Sequence, residues 1–423
     1  MKDFASVQVN WPRKDYSRVP YSIYHDPEIY QLEQEKIFRG RCWNVLCLEA
    51  EIPNPGDFRV CHVGDTPVVV NRDDDGELYA FVNRCAHRGA EIVREPWGTA
   101  KEHTCIYHAW LYNRKGDLKG VPFRRGANGK GGMPACFDMK NHNLVKVRVT
   151  SFNGVIFGTF HHDMEPIEEY LGPLFTKHVG EMFNRPVKVL GYQRQRINAN
   201  WKLYPENIKD AYHGSLLHEF NRTFGLSRLT QVAGGYMDEK HRHSILFQYK
   251  GSDSDEEALK AYIENGVKKG EIAGLNDYSM VNIIDENPFG MSTRVMNVFP
   301  NCFFHQIGNT LAMRKIRTLG VDAFELTWVL YTYEDDSEEM VQHRLNQANM
   351  VGPAGLISME DGEALEMVHR TTKSAAEEEM AVIEMGGIGE IGDRDTRVNE
   401  VTIRGFWAYY AQLMGFAPEG AEQ

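Results

Sequence analysis

Two stretches, NRCAHRGAEIV and HTCIYHAWLYN, bring cysteine and histidine together at ligand spacing. Cys85 and His87 form Cys-x-His, Cys105 and His108 form Cys-x-x-His, and 17 residues separate the pairs. Each pair can clamp one metal-facing loop, and a hairpin between them would let the two loops converge. Thiolate and imidazole ligands hold zinc or an iron–sulfur cluster. In a zinc finger the cysteines usually come first and the histidines follow, whereas here each pair is mixed. That order suits a [2Fe–2S] centre with two thiolates on one iron and two imidazoles on the other, the histidines raising the potential above that of an all-cysteine cluster. Core cysteines beside unrelated surface histidines would explain one such pair, but two tight mixed pairs argue against it.

A second constellation lies in NWKLYPENIKDAYHGSLLHEF, which reads Asp-x-x-His-x-x-x-x-His through Asp210, His213 and His218. Asp210 and His213 share a face if the segment is helical. His213 and His218, five apart, do not, so both can reach one ion only if the helix bends, and Gly214 is placed to permit that. Two histidines and a carboxylate make the facial triad of oxygen-activating Fe(II) sites. Asp210 could supply the carboxylate. So could Glu360, Asp361 or Glu363 in GPAGLISMEDGEALE, and spacing alone does not choose among them.

The elements that must position these groups fall into two styles. From about Asp57 to Val82 the runs FRVCHV, TPVVVNR and ELYAFVN are separated by Gly64-Asp65 and Asp73–Gly76, which is hairpin grammar. The β character continues to about Phe160, closing with KVRVTSF and GVIFGTF. After the acidic connector HHDMEPIEEYLG come a strand-like VKVLGYQRQRI and a helical stretch from Trp201 to Phe220, then DEEALKAYIENGVKKG, a surface helix ending at Gly270. The extended runs STRVMNVF, CFFHQIG, TLAMRKIRTL and FELTWVLYTY should pair as an antiparallel sheet. Helices are expected from Asp336 or Ser337 to about Met350, from Ser358 to Ile383, and from Val401 to Met414. The fold class is therefore α+β, a small all-β domain followed by a sheet with helices laid against it.

Composition narrows the function classes. A net charge of −12 over 423 residues, without a long Lys/Arg block, argues against a nucleic-acid partner. With no signal-like start and no apolar run of about 18 residues, the reading is a cytoplasmic protein with no membrane association. The seven cysteines are few, odd in number and scattered, so thiols or metal ligands are expected rather than disulfides. Cys42, Cys47, Cys61, Cys136 and Cys302 lack a partner at ligand spacing and read as small hydrophobes.

Taken together, the paired Cys/His motif, the Asn-Trp-Lys-x-x-x-Glu-Asn-x-x-Asp-x-Tyr-His-x4-His motif and the later Gly-Pro-Ala-Gly before an acid resemble the large (alpha) subunits of Rieske non-haem iron ring-hydroxylating oxygenases. The resemblance spans nearly the whole chain. It implies an N-terminal segment, residues 1–40, packing on the catalytic domain, a Rieske [2Fe–2S] domain over residues 41–160, and a helix-grip catalytic domain over residues 161–423. Carried over by position, Cys85, His87, Cys105 and His108 would ligate the cluster, and His213, His218 and Asp361 the mononuclear iron. Asp361 matches the second acid of the family's Asp-Asp pair, the first being Glu360 here. Asp210 would then be an inter-subunit electron bridge. The text GDLKGVPFRRG, LGYQRQRI, NWKLYPENIKD, VGPAGLISMEDG, VIEMGG and IRGFW is closest to members acting on aromatic acids of the salicylate, anthranilate and terephthalate type. That implies a substrate carboxylate held by Arg314 and Arg404, with Val351 and Ile357 lining the apolar part of the pocket.

The same resemblance implies O₂ as co-substrate and electrons from NAD(P)H through a flavin reductase, a ferredoxin or both. It further implies a homotrimer or an α3β3 assembly with a small beta subunit. Two other classes remain for comparison: a stand-alone Rieske electron carrier, which would leave the second motif unused, and a zinc-dependent hydrolase built on Asp210, His213 and His218.

Overall fold

In the computed structural model, which describes residues 7, 9, 11, 15–251, 254–267, 273–286 and 290–416, the chain divides into two units. One comprises Phe38–Tyr170 and Val179–Asn184, the other Met1–Ile37, Leu171–His178 and Arg185–Gln423.

The smaller unit is built from the hairpins its turns announce. Asp57–Val63 pairs with Thr66–Arg72 across Gly64, and that strand pairs with Leu78–Val82 across Gly76, both glycines in the left-handed region that L side chains avoid. They belong to a seven-stranded antiparallel sheet, accompanied by a three-stranded sheet of Glu102–Thr104, Leu111–Asn113 and Leu118–Gly120. Phe81, Trp110, Tyr112, Cys85 and Cys105 share one buried cluster in this unit. Both thiols thus lie in a packed interior.

The larger unit centres on a second seven-stranded sheet. Across it run Val187–Ile197, Phe324–Tyr333, Thr310–Thr318, Cys302–Ile307, Met291–Val298, Ser244–Tyr249 and Ala233–Met237, every neighbour antiparallel. The four runs read as an antiparallel sheet all take part; the two strands at residues 233–249 and their contribution carried no clear signal. Ser337 caps the helix Glu338–Val351 by accepting from the Met340 amide, and the helix Val401–Met414 has the expected bounds.

Three expectations need correction. The stretch Trp201–Phe220 is not one helix: Leu203–Lys209 is helical, the backbone becomes extended at Asp210, His213–Ser215 is a 3-10 turn, and Glu219–Thr223 is a further short helix. The chain breaks first at Asp210, and the expected irregularity between the histidines is present as well, with Gly214 in the 3-10 turn and non-helical backbone at His218. The helix Leu356–Thr372 stops well before Ile383, because Met380–Val382 instead pairs as a strand with Arg18–Pro20. The surface helix Asp255–Glu264 ends where Asn265 leaves helical geometry, and Gly270 lies outside the described residues.

An N-terminal helix, Pro27–Glu33, anchors the larger unit. Asp26 accepts the amides of Glu28 and Ile29 at 2.6 and 3.2 Å, and Pro27 opens the first turn, where its missing N–H costs nothing. The helix delivers Glu33, fully buried, to Lys202, Trp201 and Tyr410. Lys202 Nζ lies 2.6 Å from Oε1, Tyr410 donates to the same oxygen at 2.5 Å, and the Trp201 indole donates to Oε2 at 2.7 Å. Burial pulls the Lys202 pKa below its usual value against the opposing pull of Glu33. Both partners are needed, because a lone charge here would have no water to solvate it. Lys202→Met should therefore destabilise the protein by about 3–5 kcal/mol in urea denaturation, and the double variant with Glu33→Gln should recover much of the loss. A single-variant loss below about 1 kcal/mol, the range of an exposed pair, would mean that water reaches Glu33.

Candidate functional site

The two Cys/His loops are built alike. The Cys85 amide donates to the Ala90 carbonyl and the Gly89 amide to the Cys85 carbonyl; likewise Cys105 donates to Trp110 and Ala109 to Cys105. The residue four after each cysteine, Gly89 or Ala109, takes positive φ, closing the loop so that the histidine stands at its tip. Cys85 and Cys105 are buried, whereas His87 and His108 are exposed, their ring centroids 4.5 Å apart. His87 stacks on Trp110 at 4.9 Å, which fixes the plane of its ring. Burial, reinforced by neighbouring Cys85, raises the Cys105 thiol above its ordinary pKa. Two adjacent buried sulfurs become thiolates only beside a cation, so this donor set of two soft and two borderline ligands fits a [2Fe–2S] cluster.

In the larger unit the broken helix is what assembles the second site. Asp210 Oδ1 accepts the amides of Tyr212 at 2.7 Å and His213 at 3.2 Å, an Asx-type turn that replaces the helical ladder and redirects the chain. His213 and His218 then present Nε2 atoms 3.4 and 3.3 Å from Asp361 Oδ1. Candidate ligand atoms of these three residues all fall within 4.8 Å of one another. The outer nitrogens also have carboxylates: His213 Nδ1 is 3.3 Å from Asp210, and His218 Nδ1 is 2.8 Å from Glu360. The structure thus separates the two adjacent acids, Asp361 facing both Nε2 atoms and Glu360 supporting His218 from behind. This is the usual carboxylate–histidine–metal arrangement, in which the outer acid fixes tautomer and ring orientation.

Two local features set Asp361 in place. Gly355 starts its helix where a Cβ would sit 2.1 Å from the Met350 carbonyl, so the chain can fold back sharply after the preceding helix. Gly362 lies against the strand Val187–Ile197, where a Cβ would meet Gln195 Nε2 at 2.8 Å; Gln195 and Ser358 exchange two hydrogen bonds at the same contact.

Burial alone would raise the Asp361 carboxyl pKa, but the His213 hydrogen bond and the charges of His218 and His213 outweigh it and hold it below the usual value. Burial opposes charge on His213 too, yet Asp210 and Asp361 raise it to about 10. The cluster therefore calls for positive charge at the point the three ligands face, and a divalent cation supplies it. A second group, His25, Asp322 and His369, also has donor atoms within 4.8 Å. There Lys373 lies 3.1 Å from the exposed Asp322 and already answers its charge.

His213, His218 and Asp361 line a cavity of about 470 Å³, together with Asp210, Val351 and Ile357. Arg314 lines it as well. It is 4% exposed, with Nη1 donating to Tyr204 at 2.8 Å, while Nε and Nη2 have no partner among the described residues. Arg404 does not reach the cavity. Its guanidinium donates to the carbonyls of Glu390, Ile383 and Met385, so it ties the 383–390 segment to the last helix, a structural role instead of the expected substrate contact.

Two lining residues escaped sequence reasoning. Arg397 is buried, donating to Ser227 at 2.7 Å and Gln248 at 2.8 Å, with no carboxylate at ion-pair distance among the described residues. It sits in the run DRDTRVNE, whose alternating charges read as solvated. His305 stands in CFFHQIG, where both strand faces look apolar enough to hide it.

Residues 42–140 match the Rieske [2Fe-2S] domain family, and residues 183–415 match the ring hydroxylating alpha subunit (catalytic domain) family. The chain is 45% identical to the anthranilate 1,2-dioxygenase large subunit of Burkholderia cepacia, covering 98% of this chain and 97% of that one. It is 44% identical to the terephthalate 1,2-dioxygenase terminal oxygenase component subunit alpha 2 of Comamonas sp (96% and 98%) and 42% identical to the salicylate 5-hydroxylase large oxygenase component of Ralstonia sp (96% of each). In fold it is similar to naphthalene 1,2-dioxygenase from Rhodococcus sp., with a TM-score of 0.76, 24% identity and 95% of each chain covered.

The two carboxylates differ in what their loss should do. Asp361→Ala should abolish divalent-metal binding at this site, while Glu360→Gln should retain the metal with about 10- to 100-fold lower affinity, as for other outer-shell partners. Metal analysis of the purified variants tests this, and a metal-replete Asp361→Ala beside a metal-free Glu360→Gln would exchange the two roles.

Proposed function

Because the chain belongs to the family of Rieske ring-hydroxylating oxygenase alpha subunits, we propose that it is the terminal oxygenase component that hydroxylates an aromatic carboxylic acid, gripping the carboxylate through Arg314. When bound, the Rieske cluster supplies electrons and the mononuclear iron activates O₂ for attack on the ring. Cys85, His87, Cys105 and His108 hold the first; His213, His218 and Asp361 hold the second. These residues do no acid–base work in this reading: Asp210 and Glu360, beside the Nδ1 atoms, orient the two imidazoles so that their Nε2 atoms aim at the metal.

One observation carries the substrate reading. The free Nε and Nη2 of Arg314 form the side-on edge of the guanidinium, the edge that meets both oxygens of a carboxylate. A buried cation with two donors unanswered is costly until an anion arrives. Trp328 lies 4.8 Å from the guanidinium carbon, and Phe303 and Tyr204 lie 5.9 Å away, so neighbouring aromatic faces hold the fork in one orientation. Val351 and Ile357 offer apolar surface to the ring. A second reading, an aromatic dicarboxylate of the terephthalate type, is favoured by Arg397, whose charge meets only neutral oxygens among the described residues.

The chain works with a reductase or ferredoxin and assembles with further copies. We assign it to a cytoplasmic homotrimer or α3β3 complex with a small beta subunit, drawing on NAD(P)H through its reductase. No helix among the described residues is long and apolar enough to cross a membrane. In a cyclic assembly each chain gives one neighbour its cluster, and Asp210, already beside His213, would reach His108 of the next copy. Asp210 then acts as a positioning residue that links the two sites.

Two experiments separate these parts. Arg314→Ala should raise KM for the preferred aromatic acid by about 10- to 100-fold, the worth of a charge-assisted contact, with a much smaller effect on the corresponding uncharged amide. Equal effects on acid and amide would remove the carboxylate role. Asp210→Asn keeps the shape without the charge. It should leave both metal centres loaded and the cluster reducible, yet nearly stop product formation; wild-type turnover with both centres intact would end the bridging role.

A further inference from the structure

His305 stands out among buried groups that the proposed reaction does not use. It is 1% exposed, it lines the cavity, and neither ring nitrogen has a partner among the described residues. Its ring packs edge-on to Trp328 with centroids 5.3 Å apart, which fixes its orientation. Buried polar groups in folded proteins are nearly always satisfied, so a side chain with two orphan nitrogens facing a cavity marks a place for a ligand atom or an ordered water.

The sheet register places this group next to Arg314. Phe303 pairs with Arg314 and His305 with Ala312, so His305 and Arg314 point to the same face of adjacent strands, one diagonal step apart. Diagonal neighbours of this kind have Cα atoms about 7–8 Å apart, within reach of long and aromatic side chains for one small ligand. Burial, with the Arg314 charge as a second cause, pushes the His305 pKa well below its usual value. The imidazole is therefore neutral, offering one N–H donor and one lone-pair acceptor. A carboxylate has acceptors only and already finds its fork on Arg314. A group that can both give and take a hydrogen bond uses both faces of a neutral imidazole; hydroxyl and amino groups qualify.

We propose that His305 is a specificity-determining residue that hydrogen-bonds a hydroxyl or amino substituent on the ring carbon next to the carboxylate. This rests on the reading in which Arg314 holds that carboxylate. An aromatic acid anchored on Arg314 brings its flanking ring position towards the neighbouring strand, where the imidazole waits. Acids bare at that position leave His305 unsatisfied and bind less tightly, because a site built to hydrogen-bond a polar group penalises the analogue that lacks it.

The test is equilibrium binding without turnover. Dissociation constants of benzoate, 2-hydroxybenzoate and 2-aminobenzoate are measured by calorimetry on the anaerobic holoenzyme and on two variants. The wild type should bind both substituted acids more tightly than benzoate. His305→Leu should weaken those two by about tenfold, the worth of one hydrogen bond to a buried partner, while benzoate changes by less than about twofold. His305→Gln, which keeps a donor and an acceptor, should restore most of the difference, and unchanged benzoate affinity certifies the fold of each variant. Equal weakening of all three acids, as expected if His305 touches the carboxylate or merely holds a water, overturns the proposal, and so does an unchanged preference. If the wild type binds none of the three, the carboxylate reading itself falls, a result distinct from binding without His305-dependent preference.

Discussion

A carboxylate withdrawn from water needs positive charge or hydrogen-bond donors around it, and Asp361 is the point where this protein accepts that requirement. The side chain is buried, receives Asn207 Nδ2 at 3.2 Å, and faces two imidazole nitrogens. The elements of the larger unit serve that encounter. The Gly-Pro-Ala-Gly turn reverses the chain so that the helix Leu356–Thr372 can begin, Gly362 lets it approach the sheet, and the 3-10 turn and non-helical backbone between His213 and His218 free the two histidines from a helical ladder that would have held them apart. Each outer carboxylate then steadies one imidazole. Positive charge at the centre satisfies the Asp361 carboxylate and both imidazoles at once, which is why the site is coherent as a metal centre and costly as a bare cluster of charges.

The segment bearing Asn207 and Asp210 must itself be held still, and the N-terminal helix supplies that restraint. Glu33 grips the start of the segment through Trp201 and Lys202, while Glu206, one turn later, accepts from Tyr24 at 2.6 Å and Trp407 at 2.5 Å. Burial raises the Glu206 carboxyl to about 7, with the two hydrogen bonds and Lys202 pulling the other way. Polar contacts of this type are directional, so they fix rotation as well as distance, which apolar packing alone does poorly. Tyr24 and Glu33 thus help position the metal-facing segment without contributing a ligand.

The cavity shows how one sheet face can sort chemistry. Arg314, His305 and Trp328 come from three adjacent strands, and Val351 and Ile357 from the two helices joined by the tight turn. Rigid strands set the spacing of the polar groups, whereas the helices carry both apolar lining and the Asp361 carboxylate. Changes in the helical lining can therefore alter ring fit without moving the guanidinium fork.

Sequence alone determined the chemistry's vocabulary. Mixed Cys/His pairs could be read because ligand type and spacing within a few residues are local properties, and the β-hairpins and the helices at 338–351 and 401–414 could be read because turns, caps and periodicity are local too. What it could not decide was contact across distance. Asp361 and Glu360 are neighbours of nearly equal chemistry, and only the rotation of their helix against the sheet turns one towards two histidines and the other behind His218. Arg404 and Arg397 show the same limit. Seven residues apart near the last helix, they look interchangeable in the sequence, yet one is spent on backbone carbonyls and the other reaches the cavity. A side chain's type is written in the sequence, but the partner that decides whether its charge is already answered comes from a distant part of the chain, and only packing brings it near.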